Sequence, residues 1–153
     1  MTQFIEIHVA ERFGFNPGSQ FGHVAIEIDG IVYSRAPSKY HTEYYDDYLR
    51  RNASFRSAVG LRLHVTMYEK LMIRSELERR VHDNHPYSAL SNSCSSNVAE
   101  VLEMIGIAGR DPRYFATPVT PAELRAAVMK SNRLTELRRY PKGSLGGGAS
   151  GNW

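Results

Sequence analysis

The sequence contains a single cysteine, Cys94, among its 153 residues. One thiol cannot form a disulfide within the chain, and it cannot supply the two or more thiolates that many zinc sites require. Long apolar runs are also missing, because none approaches the ~18 residues of a membrane-spanning helix. These absences exclude a disulfide-stabilised scaffold, a thiolate zinc site and a helical membrane span.

The first eight residues, MTQFIEIH, lack the basic and apolar regions of a secretory signal peptide. We therefore expect a chain that is made in the cytoplasm and, if it acts elsewhere, is exported by another route. Its hydrophobic fraction of 42% and charged fraction of 23% are typical of a globular protein of one domain. We expect that domain over residues 1–140, followed by a flexible Gly/Ser-rich tail at 141–153.

Positive charge is concentrated near the C-terminal end. Residues 110–142 hold eight basic and three acidic residues, whereas the rest of the chain holds eleven and thirteen. A basic region of this kind suits an anionic polymer such as nucleic acid, anionic lipid or cell-wall glycan. A solvated surface is the simpler interpretation of the same pattern.

The hydrophobic pattern predicts an α+β chain with a small antiparallel sheet. Alternation predicts strands, and Asp29-Gly30 between two apolar runs predicts a tight hairpin. Capping residues and helical spacing predict the helices. The predicted strands are 3–11, 23–28, 31–35, 57–65 and 134–140, with a loop at 12–21; the predicted helices are 42–51, 66–81, 94–105 and one that begins at Thr120-Pro121.

Cys94 falls where a Ser/Asn-rich loop meets an amphipathic helix. Apolar residues continue at helical spacing to Ile105, and Gly106 stands where a helix stop belongs. The positive end of the helix dipole stabilises a thiolate at such a position. Two interpretations stay open, because Cys94 is either a reactive thiol or a small residue buried on the face of Val98.

A catalytic thiol needs a base, and the chain offers six histidines. His23 is distinctive because it follows Phe21-Gly22 at the start of a strand, where glycine leaves room for a substrate or a facing backbone. His82 and His85 have the spacing of a two-ligand metal pair, but no third ligand matches them, so we expect neither a metal nor a cofactor. The other histidines, His8, His41 and His64, are explained as strand or loop residues.

Two segments of the chain resemble the circularly permuted branch of the papain-like, NlpC-type cysteine hydrolases. They are GHVAIEIDGIVYSRA (22–36) and YSALSNSCSSNVAEVLEMIGI (87–107). As in that branch, the histidine precedes the cysteine, here by 71 residues. The branch includes relatives of lecithin:retinol acyltransferase and bacterial toxins that cut peptidoglycan peptides.

The resemblance implies a permuted papain-like fold in which the Cys94 helix packs against the sheet. Cys94 would be the nucleophile and His23 the base and then the acid, with helix-start amides binding the oxyanion. The third group of such sites orients the imidazole. By position it is Ser34, where relatives usually carry a stronger polar group; the alternatives for this orienting group are Glu27, His41 and Glu43.

We expect Tyr87, Asn92 and Ser93, which precede the thiol, to shape the substrate cleft. The resemblance implies thiol-dependent cleavage of an amide bond in peptidoglycan stem peptides, by an effector delivered through a contractile (type VI) secretion system or a phage. A neutralising immunity protein would be its partner. The alternatives are a lipid or protein deacylase or acyltransferase of the same fold, a basic nucleic-acid-binding module, and a catalytically inactive scaffold.

Overall fold

A computed structural model describes residues 2–11, 22–36, 38–88, 93–108 and 119–143. Within these ranges the chain has mixed α+β structure, which confirms the predicted class. The strands are β1 (Gln3–Ala10), β2 (His23–Ile28), β3 (Ile31–Arg35), β4 (Tyr40–Tyr44), β5 (Ala58–Val65) and β6 (Leu134–Tyr140). The helices are α1 (Tyr45–Ala53), α2 (Met67–Asp83), α3 (Cys94–Glu103) and α4 (Pro121–Met129). In the described part of the chain, no helix has the length and apolar character to cross a bilayer.

The six strands form one antiparallel sheet in the order β4-β3-β2-β1-β5-β6. The predicted hairpin is confirmed, since Ile28 pairs with Ile31 across Asp29-Gly30. Both turn residues have positive φ, 51° and 85°. Asp and Gly tolerate this conformation better than most residues, and it matches the twist of the two strands.

One face of the sheet carries the main apolar core. Ile5, Ile7 and Val9 alternate along β1 on this face, because successive side chains of a strand point to opposite sides. Helix α3 packs on β2 and β3 and contributes Val98 and Leu102 to the same core. Burial of each such side chain contributes roughly 1.5–3 kcal/mol, so this packing fixes where α3 begins relative to β2.

Helix α1 packs on the opposite face of the sheet. Tyr48 is fully buried there against Ala25 of β2 and Val32 of β3. The same face carries polar residues of β1, of which Glu6 and His8 are only 2% and 1% exposed. The sheet therefore has one apolar face and one face on which polar groups are enclosed.

Local capping signals set three of the helix starts. The Thr66 side chain accepts a hydrogen bond from the Glu69 amide at 3.0 Å, and the Glu69 carboxylate accepts one from the Thr66 amide at 2.9 Å. At α4, the Thr120 hydroxyl accepts a hydrogen bond from the Glu123 amide at 3.1 Å, without the reciprocal bond from the Glu123 side chain. Ser93 caps α3, so the predicted helix starts are confirmed.

The predicted helix at 42–51 is partly wrong. Residues Tyr40–Tyr44 form the edge strand β4, and the helix begins only at Tyr45. The backbone of β4 pairs with β3 along its whole length. That pairing overrides the weak helical preference of the segment, as tertiary contacts often do.

Part of the predicted tail is attached to the domain. The Lys142 amide donates a hydrogen bond to the Ser57 hydroxyl at 2.8 Å, and the Gly143 amide donates one to the Ala53 carbonyl at 2.7 Å. The remainder of the tail, 144–153, and the predicted loop at 12–21 lie outside the described residues.

Glu6 is a buried carboxyl group whose oxygens have no hydrogen-bond partner among the described residues. Burial, assisted by the charge of Glu27 and opposed by Arg138 and Arg62, raises its pKa to about 7. Gly60 on β5 makes the space for it, because a Cβ atom there would lie 2.7 Å from the Glu6 carboxyl carbon. Ionised Glu6 is therefore an unfavourable group in the folded chain.

We predict that Glu6→Gln stabilises the protein more at alkaline than at acidic pH. The folded carboxyl holds its proton up to about pH 7, whereas the unfolded one releases it near 4.5, so wild-type stability is fully present below 4.5 and is lost as pH rises through 7. Urea unfolding should show the variant gaining roughly 3 kcal/mol on the wild type between about pH 4.5 and 8. Glu103→Gln, at an exposed site on α3, is the matched control; an equal effect of Glu6→Gln at both pH values would contradict the assignment.

Candidate active site

His23 and Ser34 are joined by a hydrogen bond at the end of the β2–β3 hairpin. The His23 Nε2 and Ser34 Oγ atoms are 2.7 Å apart, and Ser34 is only 3% exposed. Both side chains lie on the face of the sheet that α1 covers. The structure thus brings together two of the three residues that the sequence predicts to be catalytic.

The surroundings of His23 favour its neutral form. Burial, followed by the positive charge of Arg56, lowers the pKa of His23 to about 3. Smaller contributions of the same sign come from His8, Arg51 and His41. The imidazole is therefore uncharged near neutral pH, which is the form that can accept a proton.

Gly22 lets the chain enter β2 next to the backbone of β1. Its φ is +92°, and a Cβ atom at this position would lie 2.9 Å from the Ala10 carbonyl oxygen. The facing backbone of β1 therefore requires glycine next to His23. A cleft of about 480 Å³ also borders Gly22, and exposed Arg125 and Arg139 lie on its wall.

Cys94 is the first residue of α3 and is 9% exposed. Its Sγ atom lies 3.7 Å from the Ser95 hydroxyl. The Ser93 side chain and carbonyl accept hydrogen bonds from the amides of Ser96 and Asn97. The amides of Cys94 and Ser95 have no acceptor among the described residues, so they are free to bind a negatively charged oxygen beside the thiol.

The three predicted cleft residues differ in their placement. Tyr87 is 38% exposed, stacks with Arg35, and lies within electrostatic range of Cys94. Ser93 is buried, and both its hydroxyl and its amide are bonded to Ser96. Asn92 lies outside the described residues. Substrate contact by these residues stays a prediction.

A buried arginine, Arg56, is a part of the site that sequence reasoning missed. It is 7% exposed, and its Nε and Nη2 atoms donate to the Asn52 side-chain oxygen at 2.9 and 2.7 Å. Its Nη1 atom and the Tyr48 hydroxyl are buried and have no hydrogen-bond partner in the part of the chain that the structure describes. No motif identifies Arg56, because it lies in the short connection between α1 and β5.

Arg56 lies within electrostatic range of both His23 and Cys94. Tyr48 is also within electrostatic range of Cys94. Cys94 and His23 are not hydrogen-bonded to each other within the described structure. Although α3 packs on the apolar face, its first residue therefore lies within electrostatic range of the polar cluster on the α1 face.

The other groups considered for orienting His23 are engaged elsewhere. The Glu27 carboxylate accepts from the Gly30 amide at 2.7 Å, in the hairpin turn. Glu43 pairs with Arg51 at 2.8 Å. His41 lies opposite Ser34 in the strand register, and only Ser34 of these candidates has a hydrogen bond to His23. Within the described ranges no three His, Cys, Asp or Glu residues are grouped to hold a metal ion.

We predict that His23→Gln reduces the loss of stability at acidic pH. Folded His23 takes up a proton only near pH 3 and the unfolded residue does so near 6.5, so wild-type stability is fully present above 6.5 and is lost as pH falls toward 3. Between about pH 7 and 4.5, urea unfolding should show the variant losing roughly 2–3 kcal/mol less than the wild type. Met129→Gln, which places the same side chain at an exposed site and removes no titrating group, should leave the wild-type slope unchanged. A His23→Gln slope equal to that of the wild type would show that His23 titrates normally.

Comparison with models of protein families, with curated proteins and with solved structures found no match to this chain. The function is accordingly inferred from the chemistry of these side chains.

Proposed function

We propose that this chain is a cysteine-dependent hydrolase with a circularly permuted papain-like arrangement. It cleaves an amide bond, and its substrate is a peptidoglycan stem peptide. The observation that carries the proposal is the His23–Ser34 hydrogen bond at the start of β2, with Cys94 beginning the helix that packs on this strand. A base, a group that orients it and a thiol at a helix start are the parts that nucleophilic catalysis requires.

The first half of the reaction acylates Cys94. Its sulfur attacks the carbonyl carbon of the substrate, a C–S bond forms, and the carbonyl electron pair moves onto oxygen. The amides of Cys94 and Ser95 donate to that oxygen. His23 accepts the thiol proton and passes it to the amide nitrogen as the C–N bond breaks. The contact between thiol and imidazole forms in the substrate complex, as is common when the free enzyme has looser geometry.

The second half of the reaction releases the acyl group. His23 takes a proton from water, whose oxygen bonds to the acyl carbon, and the C–S bond then breaks. The proton returns to the sulfur, so the enzyme is regenerated without a cofactor.

Ser34 determines which imidazole nitrogen reacts. Its hydroxyl is bonded to Nε2, so Nδ1 is the nitrogen that is left for the thiol and the water. When Nε2–H donates to the Ser34 oxygen, Nδ1 carries a lone pair and can act as a base. A hydroxyl orients the ring without adding the negative charge that a carboxylate would supply, and this agrees with the neutral state of His23.

The choice of peptidoglycan rests on the resemblance to wall-cutting toxins. A cleft next to the site is compatible with it, although Cys94, His23 and Ser34 do not line this cleft and Glu11 does. Arg125 and Arg139 lie on the wall of the cleft beside Gly22 and have no ion-pair partner among the described residues. Guanidinium groups suit the carboxylates of stem peptides. Export by a specialised secretion system and neutralisation by an immunity protein belong to the same proposal.

We predict that the purified chain releases new amine and carboxyl ends from peptidoglycan, measured by separation and mass analysis of the fragments. Cys94→Ala should abolish the release, because the nucleophile is lost. His23→Ala should slow it about 10²–10⁴-fold, the usual contribution of a general base. Ser34→Ala should slow it less than His23→Ala, because the base remains.

Assays with other substrates and ligands distinguish the alternative functions. Cleavage of lipid or protein acyl esters, but not of peptidoglycan, would assign the chain to deacylation or acyl transfer. Binding of nucleic acid that weakens with salt and survives Cys94→Ala would assign it to a binding module. Either result would overturn the proposal.

A further inference from the structure

The cleft beside Gly22 lies at the end of the sheet where β1 and β6 finish and where β2 and β5 begin. The first turn of α4 forms its remaining wall. Its volume of about 480 Å³ falls in the range of ~300–1,000 Å³ that is usual for sites that bind small molecules. The cleft is therefore large enough for a ligand of that size.

Hydrogen bonds and packing fix the walls of this cleft. The Glu11 amide donates to the Ser57 carbonyl at 2.8 Å, and the Lys142 amide donates to the Ser57 hydroxyl at 2.8 Å. These two bonds hold the ends of β1 and β6 against the start of β5. Helix α4 is held on the other side, because a Cβ atom on Gly22 would lie 3.5 Å from two side-chain carbons of Pro121.

Two guanidinium groups and one carboxylate line the cleft, and all three belong to exposed residues. Arg125 lies one helical turn after Pro121, on the same face of α4. Arg139 lies on β6, opposite Val59 of β5. The carboxylate is that of Glu11. None of these three side chains forms an ion pair or a hydrogen bond with another residue of the described chain.

Opposite charges that share a cleft without pairing can each bind a group of opposite charge on a ligand. A guanidinium group binds a carboxylate through two parallel hydrogen bonds, and a carboxylate binds an ammonium group. A ligand that carries only negative charge would be attracted by Arg125 and Arg139 but repelled by Glu11. The charges of the cleft therefore match a small molecule that has both carboxylate and ammonium groups.

We propose that this cleft is a binding site for an amphoteric molecule of the amino-acid class. Arg125 and Arg139 bind its carboxylates, and Glu11 binds its ammonium group. The apolar wall of the cleft, which includes Val9 and Pro121, contacts the carbon chain of the ligand.

The cleft adjoins the candidate catalytic residues without including them. Gly22, on its wall, directly precedes His23, and Ala10, also on its wall, pairs with His23 across β1 and β2. A charged end of a peptide bound in the cleft would therefore lie close to the start of β2. The use of the cleft in substrate recognition rests on the function proposed above, whereas binding of the small molecule does not.

The inference is tested by comparing glutamate with glutarate, which has the same carbon chain and both carboxylates but lacks the ammonium group. Dissociation constants are measured by NMR from the amide shifts of Glu11, Gly22 and Ala122. We expect glutamate to bind the wild type about fivefold more tightly than glutarate, the effect of one exposed ion pair. Glutarate binding as tightly as glutamate, or no shift of these amides with either probe, would overturn the proposal.

Variants of the three charged residues identify their roles. Glu11→Gln should weaken glutamate binding and strengthen glutarate binding, because it removes an attraction in one complex and a repulsion in the other. Arg125→Met and Arg139→Met should each weaken both probes. Arg50→Met and Glu103→Gln make the same changes at exposed sites away from the cleft and should alter neither affinity. Equal effects of Glu11→Gln on the two probes, in a variant shown to be folded by circular dichroism, would also overturn the proposal.

This proposal and the proposed function fail in different ways. Glutamate binding that depends on Glu11, without any peptidoglycan cleavage, would retain the cleft as a binding site and reject the hydrolase. Cleavage that depends on Cys94, with neither probe bound at the cleft, would retain the hydrolase and reject the amino-acid site.

Discussion

The packing of α1 over the polar face of the sheet controls the chemistry of the candidate site. Tyr48 fills the space above β2 and β3, and its ring meets the edge of His8 at 4.8 Å between centroids. Water is thereby excluded from groups that would otherwise be solvated. Burial then penalises the charged forms of His8, His23 and Arg56. A further positive charge near Arg56 is therefore unfavourable.

The opposite face of the sheet supplies the rigidity that such a site needs. Helix α3 is held on β2 by its apolar side, while its first turn carries Cys94 and two backbone amides that have no acceptor among the described residues. His23 and Ser34 are likewise held on adjacent strands of one hairpin. Each candidate side chain therefore lies at the end of a regular element, with its orientation set by backbone hydrogen bonds and core packing.

The parts of the fold that sequence predicts are those set by local signals. Asp29-Gly30 determines the hairpin, and the caps at Thr66 and Thr120 determine helix starts. Strand β4 was missed because its identity depends on pairing with β3, which is a contact between segments. Glycine before His23 was predicted to leave room for a substrate or a facing backbone, and the carbonyl of Ala10 is such a backbone.

For the candidate site too, local sequence patterns identify some residues, and contacts between distant segments determine the others. Cys94 at a helix start and His23 at a strand start are visible in the sequence, and Ser34 follows from its position on the second strand of the hairpin. Arg56 is not visible, because its importance comes from the closure of α1 and from the bond to Asn52 that fixes its side chain. Burial, which no short pattern encodes, converts an ordinary arginine into an electrostatic element of the site.

The most direct test of the account is whether Cys94 forms an acyl-enzyme with the help of His23. The chain would be mixed with an activated phenyl ester, and the mass of the intact protein and of its peptides would be followed with time. The account predicts one acyl group per chain, located on Cys94, formed quickly in the wild type and much more slowly in His23→Ala. The absence of an adduct, or acylation of Cys94 at the same rate in both proteins, would contradict it.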